Sequence, residues 1–312
     1  MSLARKTIRY LDRSCRVSLA GKTVLITGAG SGIGYKTAEI MLYLGASVIM
    51  ACRNLPKAEN ARRQLLADYP GSDIRIMPLD LADFRSIDSF AANLPDADVF
   101  INNAGVFHLP GKKTADGFPM VMGVNYLGVY RLSEKALPLL RERGRETVWI
   151  NTVSFVHRLA KVDFSRFFDD RGSYPRSKLC LARYTRFLAD RYRGTNIRVY
   201  QIHPGIALTP IAGHVFPRLY RLAPLSPFNS PEKSSLSPAW ILSRQVPEGS
   251  LVGPKGFLNI WGYPGINRPC RRAGKEIEPL IRFTESLAAE PCRGADNPAP
   301  TAGSGANEAP PI

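Results

Sequence analysis

The glycine-rich segment close to the N-terminus constrains the fold of this chain more than any other feature. The run Thr27-Gly28-Ala29-Gly30-Ser31-Gly32-Ile33-Gly34 follows a short apolar stretch and precedes an amphipathic stretch over residues 33–44. This order predicts a strand, a glycine turn and a helix whose N-terminal N–H groups can approach a pyrophosphate. We expect Gly28, Ser31, Gly32, Ile33 and Gly34 to bind a dinucleotide. The alternative is that the glycines serve only the shape of the turn.

The rest of the sequence repeats this alternation of apolar runs and amphipathic stretches. Strands are predicted at residues 23–27, 47–52, 74–78, 99–102, 147–153, 198–203 and 257–260. Helices are predicted in most of the intervals between them, and also over 231–246 and 277–287. Because right-handed crossovers join parallel strands, the pattern predicts an α/β, doubly wound Rossmann-type fold with a mainly parallel sheet flanked by helices.

Composition divides the chain into three parts, of which the middle one contains an insertion at residues 206–228. Residues 21–289 are predicted to form one catalytic domain. Residues 1–20 form a basic amphipathic arm, which either packs on this domain or docks on a membrane surface or a partner. Residues 206–228 are rich in proline and large apolar side chains and are predicted to be a substrate lid. Residues 290–312 are mostly Pro, Ala, Gly and Asn, which predicts a disordered tail.

The chain is strongly basic, with 42 Lys and Arg against 26 Asp and Glu and a formal net charge of +16. This charge attracts anionic partners, but no zinc-ligand spacing and no aromatic RNA-binding signature accompany it. The charge therefore does not indicate a nucleic-acid partner, and it is compatible with either an anionic lipid or a phosphate-rich cofactor. The four histidines lack metal-ligand spacing, so no metal is expected.

The cysteines and the hydropathy pattern bear on location. The five cysteines are irregularly spaced and include no C-x-x-C pair, which is typical of a reducing compartment. No apolar run of about 18 residues and no secretory signal is visible. We expect a cytoplasmic protein, with peripheral membrane contact as the remaining option.

The segment after the second predicted strand, Ala51-Cys52-Arg53-Asn54, indicates which dinucleotide is bound. An acidic residue here would bond the adenosine ribose 2′-hydroxyl, whereas an arginine can pair with a 2′-phosphate. Arg53 therefore favours NADP(H) over NAD(H). The alternative is that Arg53 is a solvated surface charge.

Several motifs, taken in order, resemble the classical short-chain dehydrogenase/reductase family over residues 21–287. The motifs are Gly28-x-x-x-Gly32-x-Gly34, Asn102-Asn103-Ala104-Gly105, Asn125, Ser154, Tyr174-Pro175-Arg176-Ser177-Lys178 and Pro204-Gly205. Within the family, residues 51–54, 151–157 and 203–205 look most like the retinol dehydrogenase-like branch. That branch acts on lipophilic alcohols, aldehydes and ketones, so the resemblance implies a small lipophilic substrate and reversible hydride transfer with NADP(H).

The resemblance also implies roles for individual residues. The catalytic tetrad would be Asn125, Ser154, Tyr174 and Lys178. Further cofactor contacts would come from Asp80, Leu81, Asn102, Ala104, Pro204, Gly205 and Thr209, together with Tyr174 and Lys178. Family members associate through surface helices, which implies a homodimer or homotetramer.

The spacing of Tyr174 and Lys178 agrees with the chemistry that this resemblance implies. Residues i and i+4 lie on one face of a helix, so a lysine cation can stabilise the phenolate of a proton-donating tyrosine. Pro175 is compatible with the first turn of this helix if Ser173 caps it. The alternative from another class is a catalytically silent NADP(H)-binding sensor or scaffold of the same fold.

Overall fold

Strands and helices alternate through the first two thirds of the chain, as the sequence predicts. The computed structural model describes residues 3–205, 229–256, 259–268 and 270–289. The predicted lid at 206–228 and the predicted tail at 290–312 lie outside the described residues, so both remain predictions.

Eight strands and nine α-helices of four or more residues can be assigned in the described part of the chain. The strands are β1 (Thr23–Thr27), β2 (Ser47–Cys52), β3 (Ile74–Pro78), β4 (Val99–Asn102), β5 (Thr147–Thr152), β6 (Ile197–Ile202), β7 (Leu251–Pro254) and β8 (Pro264–Asn267). The helices are α1 (Arg5–Ser14), α2 (Gly32–Tyr43), α3 (Leu55–Asp68), α4 (Phe84–Ala92), α5 (Gly128–Glu142), α6 (Ser173–Arg191), α7 (Pro231–Ser234), α8 (Ser237–Leu242) and α9 (Ile277–Ala289). A short helical turn (Met120–Met122) and a π-helical turn (Gly123–Leu127) lead into α5.

The strands form one sheet in the order β3-β2-β1-β4-β5-β6-β7-β8. All neighbours pair in parallel except β7 and β8, which are antiparallel. β2 pairs with one side of β1 and β4 pairs with its other side, so the order in which strands are added to the sheet changes direction at β1. In such sheets, ligands bind at the carboxyl ends of the strands next to this switch point. The predicted doubly wound Rossmann-type fold is confirmed.

Two apolar clusters, one on each face of the sheet, account for the core. Fully buried residues of one cluster include Phe100, Trp149 and Tyr184, whereas the other contains Ile26, Met50 and Ile150. Alternate residues of a central strand point to opposite faces, so a strand that is buried on both faces is apolar throughout. This explains why the central strands are visible in the sequence as continuous apolar runs.

The N-terminal helix α1 packs on the rest of the protein. Leu3, Leu11 and Cys15 are buried in the cluster that also covers α2. Tyr43 of α2 donates a hydrogen bond of 2.7 Å to Asp12, and the stacked rings of Tyr10 and Tyr263 lie 4.3 Å apart. The apolar side of the amphipathic arm is therefore used within the chain, while its basic residues face outward.

Two predictions about the later elements are wrong. The described half of the predicted strand at 257–260 is not a strand, because Asn259 has a φ of 59°, which belongs to a turn; residues 257 and 258 lie outside the described residues. The seventh strand lies earlier, at Leu251–Pro254. The predicted helix over 231–246 is two short helices, Pro231–Ser234 and Ser237–Leu242, because Pro238 begins a new helix rather than continuing the first.

The C-terminal helix α9 covers α6 and the π-helical turn. Arg183 donates to Glu276 at 2.8 Å, and Tyr126 and Thr284 are joined by a buried hydrogen bond of 2.7 Å. Leu280 and Ile281 are buried in the same cluster as α6. None of the helices in the described residues is both long enough and apolar enough to cross a membrane.

Candidate active site

The glycine turn between β1 and α2 has the geometry that the sequence predicts. Gly28 has a φ of 69°, which favours glycine, and a side chain at Gly34 would collide with the carbonyl oxygen of Gly28. Ser31 precedes α2 with an extended backbone, and its side chain makes no capping hydrogen bond. Within the described residues, the first N–H groups of α2 therefore have no intrahelical partner and no cap from the Ser31 side chain.

Thr27 ties this turn to the end of β4. Its hydroxyl oxygen accepts hydrogen bonds from the main-chain N–H groups of Asn103 and Ala104, both at 3.0 Å. The Asn103 side chain returns a bond of 3.1 Å to the Thr27 carbonyl oxygen. The sequence analysis assigned Ala104 to the site but gave Asn103 no role. Its signal was present in the doubled asparagine Asn102-Asn103, the first of which ends β4.

Arg53 and Asp80 lie together at the ends of β2 and β3. The Arg53 Nε atom is 4.0 Å from the Asp80 carboxylate, and 63% of the Arg53 side chain is exposed. Asp80 also accepts from the Ala82 N–H at 2.9 Å, which holds the Asp80–Ala82 turn in place. Cys52 is buried, its sulfur lies close to the glycine turn, and burial raises the pKa of its thiol. Arg53 is thus an accessible cation at the end of β2, directly after the cysteine whose sulfur lies close to the glycine turn.

Tyr174 and Ser154 meet at the carboxyl end of β5. Tyr174 lies in the first turn of α6, and Ser154 follows β5 in an extended conformation that leaves its hydroxyl free of a capping bond. Burial raises the pKa of Tyr174, and a hydrogen bond with Ser154 acts in the opposite direction. The helix begins at Ser173 itself after Gly172, so the predicted cap at Ser173 is one residue off, while Pro175 does lie in the first turn.

Lys178 and Asn125 approach each other beside Gly105. A Cβ atom at Gly105 would lie 3.0 Å from Asn125 Oδ1 and 3.5 Å from Lys178 Nζ, so both side chains point at this glycine. Lys178 is buried, and its ammonium donates to the Thr152 carbonyl oxygen at 2.8 Å. Burial lowers its pKa to about 8, because a low-dielectric environment disfavours the charged form.

Asn125 is held by the loop that follows β4. Its amide accepts from the Val106 N–H at 2.8 Å and donates to the Val106 carbonyl oxygen at 2.9 Å. The residue lies in the π-helical turn, a rare form that is frequent at functional sites. The sequence predicted a helix here but not the π-helical turn, because a local change in hydrogen-bond register leaves no signature in residue type.

Phe107 is a site residue that the sequence analysis missed. Its ring is half-buried, and its centroid lies 4.6 Å from that of Tyr174, at an interplanar angle of 56°. Val106, which precedes it, is held by Asn125, and His108, which follows it, has a left-handed φ of 43°. A single phenylalanine in a loop is uninformative in sequence, because its contact with Tyr174 exists only after β4 and α6 have packed.

Other predicted site residues are placed around the same edge of the sheet. The Asn102 side chain donates to Asn151 at 2.8 Å within the sheet, so its amide N–H faces a neighbouring strand. Leu81 is buried. Pro204 and Gly205 follow β6, and the Pro204 carbonyl oxygen accepts from Asn229 at 3.4 Å. Thr209 lies outside the described residues.

Two buried histidines lie next to the site without joining it. His157 bonds the Ser154 carbonyl oxygen through Nδ1, and His203 bonds Asn267 through Nε2 at 2.8 Å. Burial lowers the pKa of both imidazoles, that of His203 to about 3. Both are therefore neutral near pH 7 and serve as hydrogen-bonded supports for the strand ends.

The fold and the glycine turn define an α/β protein of the Rossmann type, and comparisons with known proteins identify the family. The family described as short chain dehydrogenase matches residues 22–219. Mouse Retinol dehydrogenase 14 is 41% identical over 214 residues, which cover 62% of this chain and 64% of that protein. Human Retinol dehydrogenase 14 is 36% identical over 256 residues, covering 73% and 76% respectively.

Solved structures give the same result. An uncharacterized protein from Mycobacterium paratuberculosis has a TM-score of 0.72 and 28% identity, covering 89% of this chain and 97% of that one. The complex of Pseudomonas aeruginosa RhlG with NADP has a TM-score of 0.60 and 25% identity, covering 75% and 94%. This chain belongs to the short chain dehydrogenase family of oxidoreductases, and within it to the retinol dehydrogenase-like branch.

Proposed function

We propose that this protein is an NADP(H)-dependent oxidoreductase that transfers a hydride reversibly between nicotinamide and a small lipophilic alcohol or carbonyl compound. The contact between the hydroxyl groups of Ser154 and Tyr174 carries this proposal. It lies at the same edge of the sheet as the uncapped N-terminus of α2. One edge thus offers both a phosphate site and a proton donor, which is the combination that hydride transfer to a carbonyl requires.

The described residues fit a bound dinucleotide. Gly28 and Gly34 let the main chain turn tightly, and the free N–H groups of α2 would face the pyrophosphate. Arg53 is exposed at the end of β2 and would pair with a 2′-phosphate, which favours NADP(H). Asp80, Leu81, Ala104, Pro204 and Gly205 would contribute further contacts. Asn102 would act through its main chain, and Thr209 remains part of the proposal.

The protein side chains would donate the proton to the substrate oxygen or accept it from there. When bound, the dinucleotide supplies or accepts the hydride at the substrate carbon. In the reducing direction, Ser154 donates a hydrogen bond to the substrate oxygen, and the Tyr174 hydroxyl gives its proton to that oxygen as the C=O bond becomes C–O–H. A raised pKa keeps Tyr174 protonated and ready to donate.

Lys178 and Asn125 would restore the proton that Tyr174 loses. A lysine with a pKa of about 8 gives up and regains a proton close to neutral pH. Asn125 is fixed next to it by two bonds to Val106, so it would hold Lys178 and a water in place. In the oxidising direction, the same groups would take the proton away from the alcohol.

The quaternary structure and the location are also proposals. We propose a homodimer or homotetramer in the cytoplasm, with peripheral contact to membranes. Small alcohols, aldehydes and ketones of lipophilic character are the proposed partners, and nucleic acid is not among them.

A cofactor titration tests the proposal most directly. We expect NADPH to bind the wild-type protein at least about tenfold more tightly than NADH, because the charge-assisted bond to the 2′-phosphate is made by NADPH alone. Arg53→Ala should abolish this preference, whereas Arg63→Ala, on the exposed face of α3, is the matched control and should keep it. Fluorescence quenching by the nucleotide gives both dissociation constants.

Turnover separates the enzyme from the catalytically silent alternative. A panel of lipophilic aldehydes and ketones should be reduced with NADPH by the wild-type protein, and Tyr174→Phe should lower kcat at least about a hundredfold, since it removes the proton donor. NADPH binding without turnover of any substrate would favour a sensor or scaffold. Binding of neither nucleotide would contradict the proposed function.

A further inference from the structure

A cavity with a strongly basic lining lies in the loop that joins β5 to α6. It has a volume of about 240 Å³, and four of the five side chains that line it are cationic. The lining residues are Lys161, Asp163, Arg166, Arg171 and Arg176. None of the five belongs to the candidate active site. We call this space the basic cavity.

Arg176 is the buried member of the basic cavity. The residue is only 9% exposed, and its guanidinium donates to the carbonyl oxygens of Phe167, Asp169 and Arg171 at 3.2, 2.8 and 2.9 Å. These acceptors carry no formal charge, so they satisfy hydrogen bonds without neutralising the cation. A guanidinium has five N–H donors. The Nε–H and one N–H of Nη2 donate to no other atom of the described residues, which leaves them for a ligand.

The charges around the basic cavity do not balance. Lys161 and Arg171 are exposed and form no ion pair with any described residue. Arg166 is compensated, because its Nε lies 2.8 Å from the Asp169 carboxylate. Together with the buried arginine, the lining therefore has three uncompensated cations against the single carboxylate of Asp163, a net positive charge of two. A bound anion would relieve the repulsion among these cations.

The basic cavity is separate from the two functions assigned to the candidate active site. Arg53 follows β2, which is three positions from β5 in the sheet, a distance of about 14 Å between strand axes. Tyr174 and Arg176 are two residues apart on α6, so their side chains point about 200° apart around the helix. A ligand beside Arg176 would thus occupy neither the proposed 2′-phosphate site nor the position of the substrate oxygen.

The loop around the basic cavity is folded and tied to its neighbours. Phe167 is buried, and the ring of Phe168 stacks on that of Phe118 with centroids 5.7 Å apart. The Gly111 N–H donates to the Asp170 carboxylate at 2.9 Å, which joins this loop to the one that follows β4. The buried guanidinium and its three carbonyl acceptors therefore belong to a preformed site, and a ligand would have little ordering of the loop to perform.

We infer that the basic cavity binds the phosphate group of a small molecule. A phosphate monoester carries a charge of about −1.5 to −2 at pH 7, which matches the excess charge of the lining, whereas a carboxylate supplies only one negative charge. Guanidinium groups also match the geometry of phosphate oxygens. This binding does not depend on the proposed function. Any influence of the bound phosphate on turnover, through the loop that leads to Tyr174, does rest on it.

Calorimetric titration of the full-length protein tests the site. Inorganic phosphate, phenyl phosphate and benzoate serve as probes at constant ionic strength, so that screening is the same throughout. We expect phosphate to bind the wild-type protein, and phenyl phosphate to bind at least about tenfold more tightly than benzoate, which has the same ring but a single charge. Tighter binding of phenyl phosphate than of inorganic phosphate would identify a phosphate ester as the ligand, and equal affinities would identify free phosphate.

Substitution of the exposed cations tests which residues are used. Lys161→Gln combined with Arg171→Gln should weaken binding of phenyl phosphate at least about tenfold, because it removes both unpaired surface charges. The matched control is Lys135→Gln combined with Arg141→Gln, which removes two exposed charges from α5 and should bind like the wild-type protein. All four positions are exposed, so both variants should keep the wild-type unfolding temperature.

A further substitution tests the buried arginine. Arg176→Lys keeps the charge but removes the forked donors, so phenyl phosphate should bind about fivefold more weakly. Its unfolding temperature is measured in parallel, and the double variant of exposed cations decides the outcome if the loop is disturbed.

Three results would overturn the inference. The first is wild-type protein that binds neither phosphate probe, and the second is an equal loss of affinity in the two double variants. The third is loss of phosphate binding in Arg53→Ala with binding retained in the cavity variant, because phosphate would then occupy the proposed dinucleotide site. NADPH binding that is intact in the cavity variant separates this test from the proposed function, which fails only if the dinucleotide titration or turnover fails.

Discussion

Burial acts in opposite directions on the protonation of the two titratable groups in the candidate site. It raises the pKa of Tyr174 and lowers that of Lys178 to about 8, so in both cases the neutral form is favoured. A neutral phenol is the form that donates a proton. With a pKa of about 8, Lys178 is still mostly charged at pH 7, but its ammonium gives up a proton more readily than an unperturbed lysine does.

The lowered pKa of Lys178 predicts a pH dependence of stability. Below about pH 8 the lysine is charged in both states, and the folded protein bears the cost of a buried charge. Between about pH 8 and 10 the folded state loses this proton while the unfolded state keeps it, so the free energy of unfolding rises by up to about 1.4 kcal/mol per pH unit. Urea unfolding across this range measures it.

The control for this measurement is Lys178→Met, which keeps the length of the side chain without a titrating group. Other groups, Tyr174 included, titrate in both proteins, so the difference between their pH profiles isolates Lys178. Parallel profiles for the wild-type and variant proteins would contradict the lowered pKa.

The contact of Phe107 with Tyr174 predicts an effect on substrate choice. Phe107→Ala would remove a half-buried wall next to the proton donor, so we expect the ratio of kcat/KM for branched over linear carbonyl substrates to rise about tenfold. Phe187 is also half-buried and its ring stacks on Tyr184, but it lies more than three helical turns further along α6. Phe187→Ala should leave the ratio unchanged, and an equal change in both variants would rule out a specific role for Phe107.

At the scale of elements, one threonine side chain joins the glycine turn to the end of β4. Thr27→Val would leave the N–H groups of Asn103 and Ala104 without their acceptor, which should lower the free energy of unfolding by about 1 to 3 kcal/mol. NADPH binding should weaken as well, because the turn is less fixed. Guanidinium unfolding and the cofactor titration measure the two effects.

Thr152 provides a matched control for this substitution. It lies at the end of β5, and its buried hydroxyl has no hydrogen-bond partner among the described residues. Thr152→Val removes a buried unsatisfied group and should leave stability unchanged or slightly higher. If both valine variants lose equal stability, the role assigned to the Thr27 hydroxyl is wrong.

The elements also show what could be predicted from the sequence. β1, β2, β3 and β4 lie at the predicted residues, because β1, β2 and β4 are mostly apolar runs between turn signals and β3 alternates Ile74 and Ile76 with the exposed Arg75. β7 and β8 each contain Gly and Pro, which weaken a strand signal. Their place at the edge of the sheet depends on tertiary contacts such as that of Asn267 with His203, which the local sequence does not encode.

The same limit applies to the site. The spacing of Tyr174 and Lys178 on one helix was visible as a local pattern. The contacts of Ser154 with Tyr174 and of Asn125 with Val106 join residues that are 20 and 19 positions apart, so they exist only once the sheet has formed. Their assignment came from family resemblance, and the geometry now gives it a physical basis.

At the scale of the whole molecule, the end of the domain can be tested by truncation. A chain ending at Gly274 would lose α9 and expose the surfaces that now bury Leu280 and Ile281. Full burial of such side chains contributes about 1.5 to 3 kcal/mol each, so thermal unfolding should begin at a clearly lower temperature. A chain ending at Ala289 should unfold like the full-length protein, in keeping with the predicted disordered tail. Equal destabilisation by both truncations would place part of the tail in the folded domain.

The π-helical turn at Gly123–Leu127 restricts how the length of this chain can vary. A π-helical turn holds one residue more than the α-helix around it, so deletion of one residue here would restore a regular helix. Every position before the deletion would then rotate by about 100° relative to α5. The Asn125 amide would leave Val106, and Tyr126 would leave Thr284. Relatives that keep this arrangement should therefore align here without gaps, even where their residue types differ.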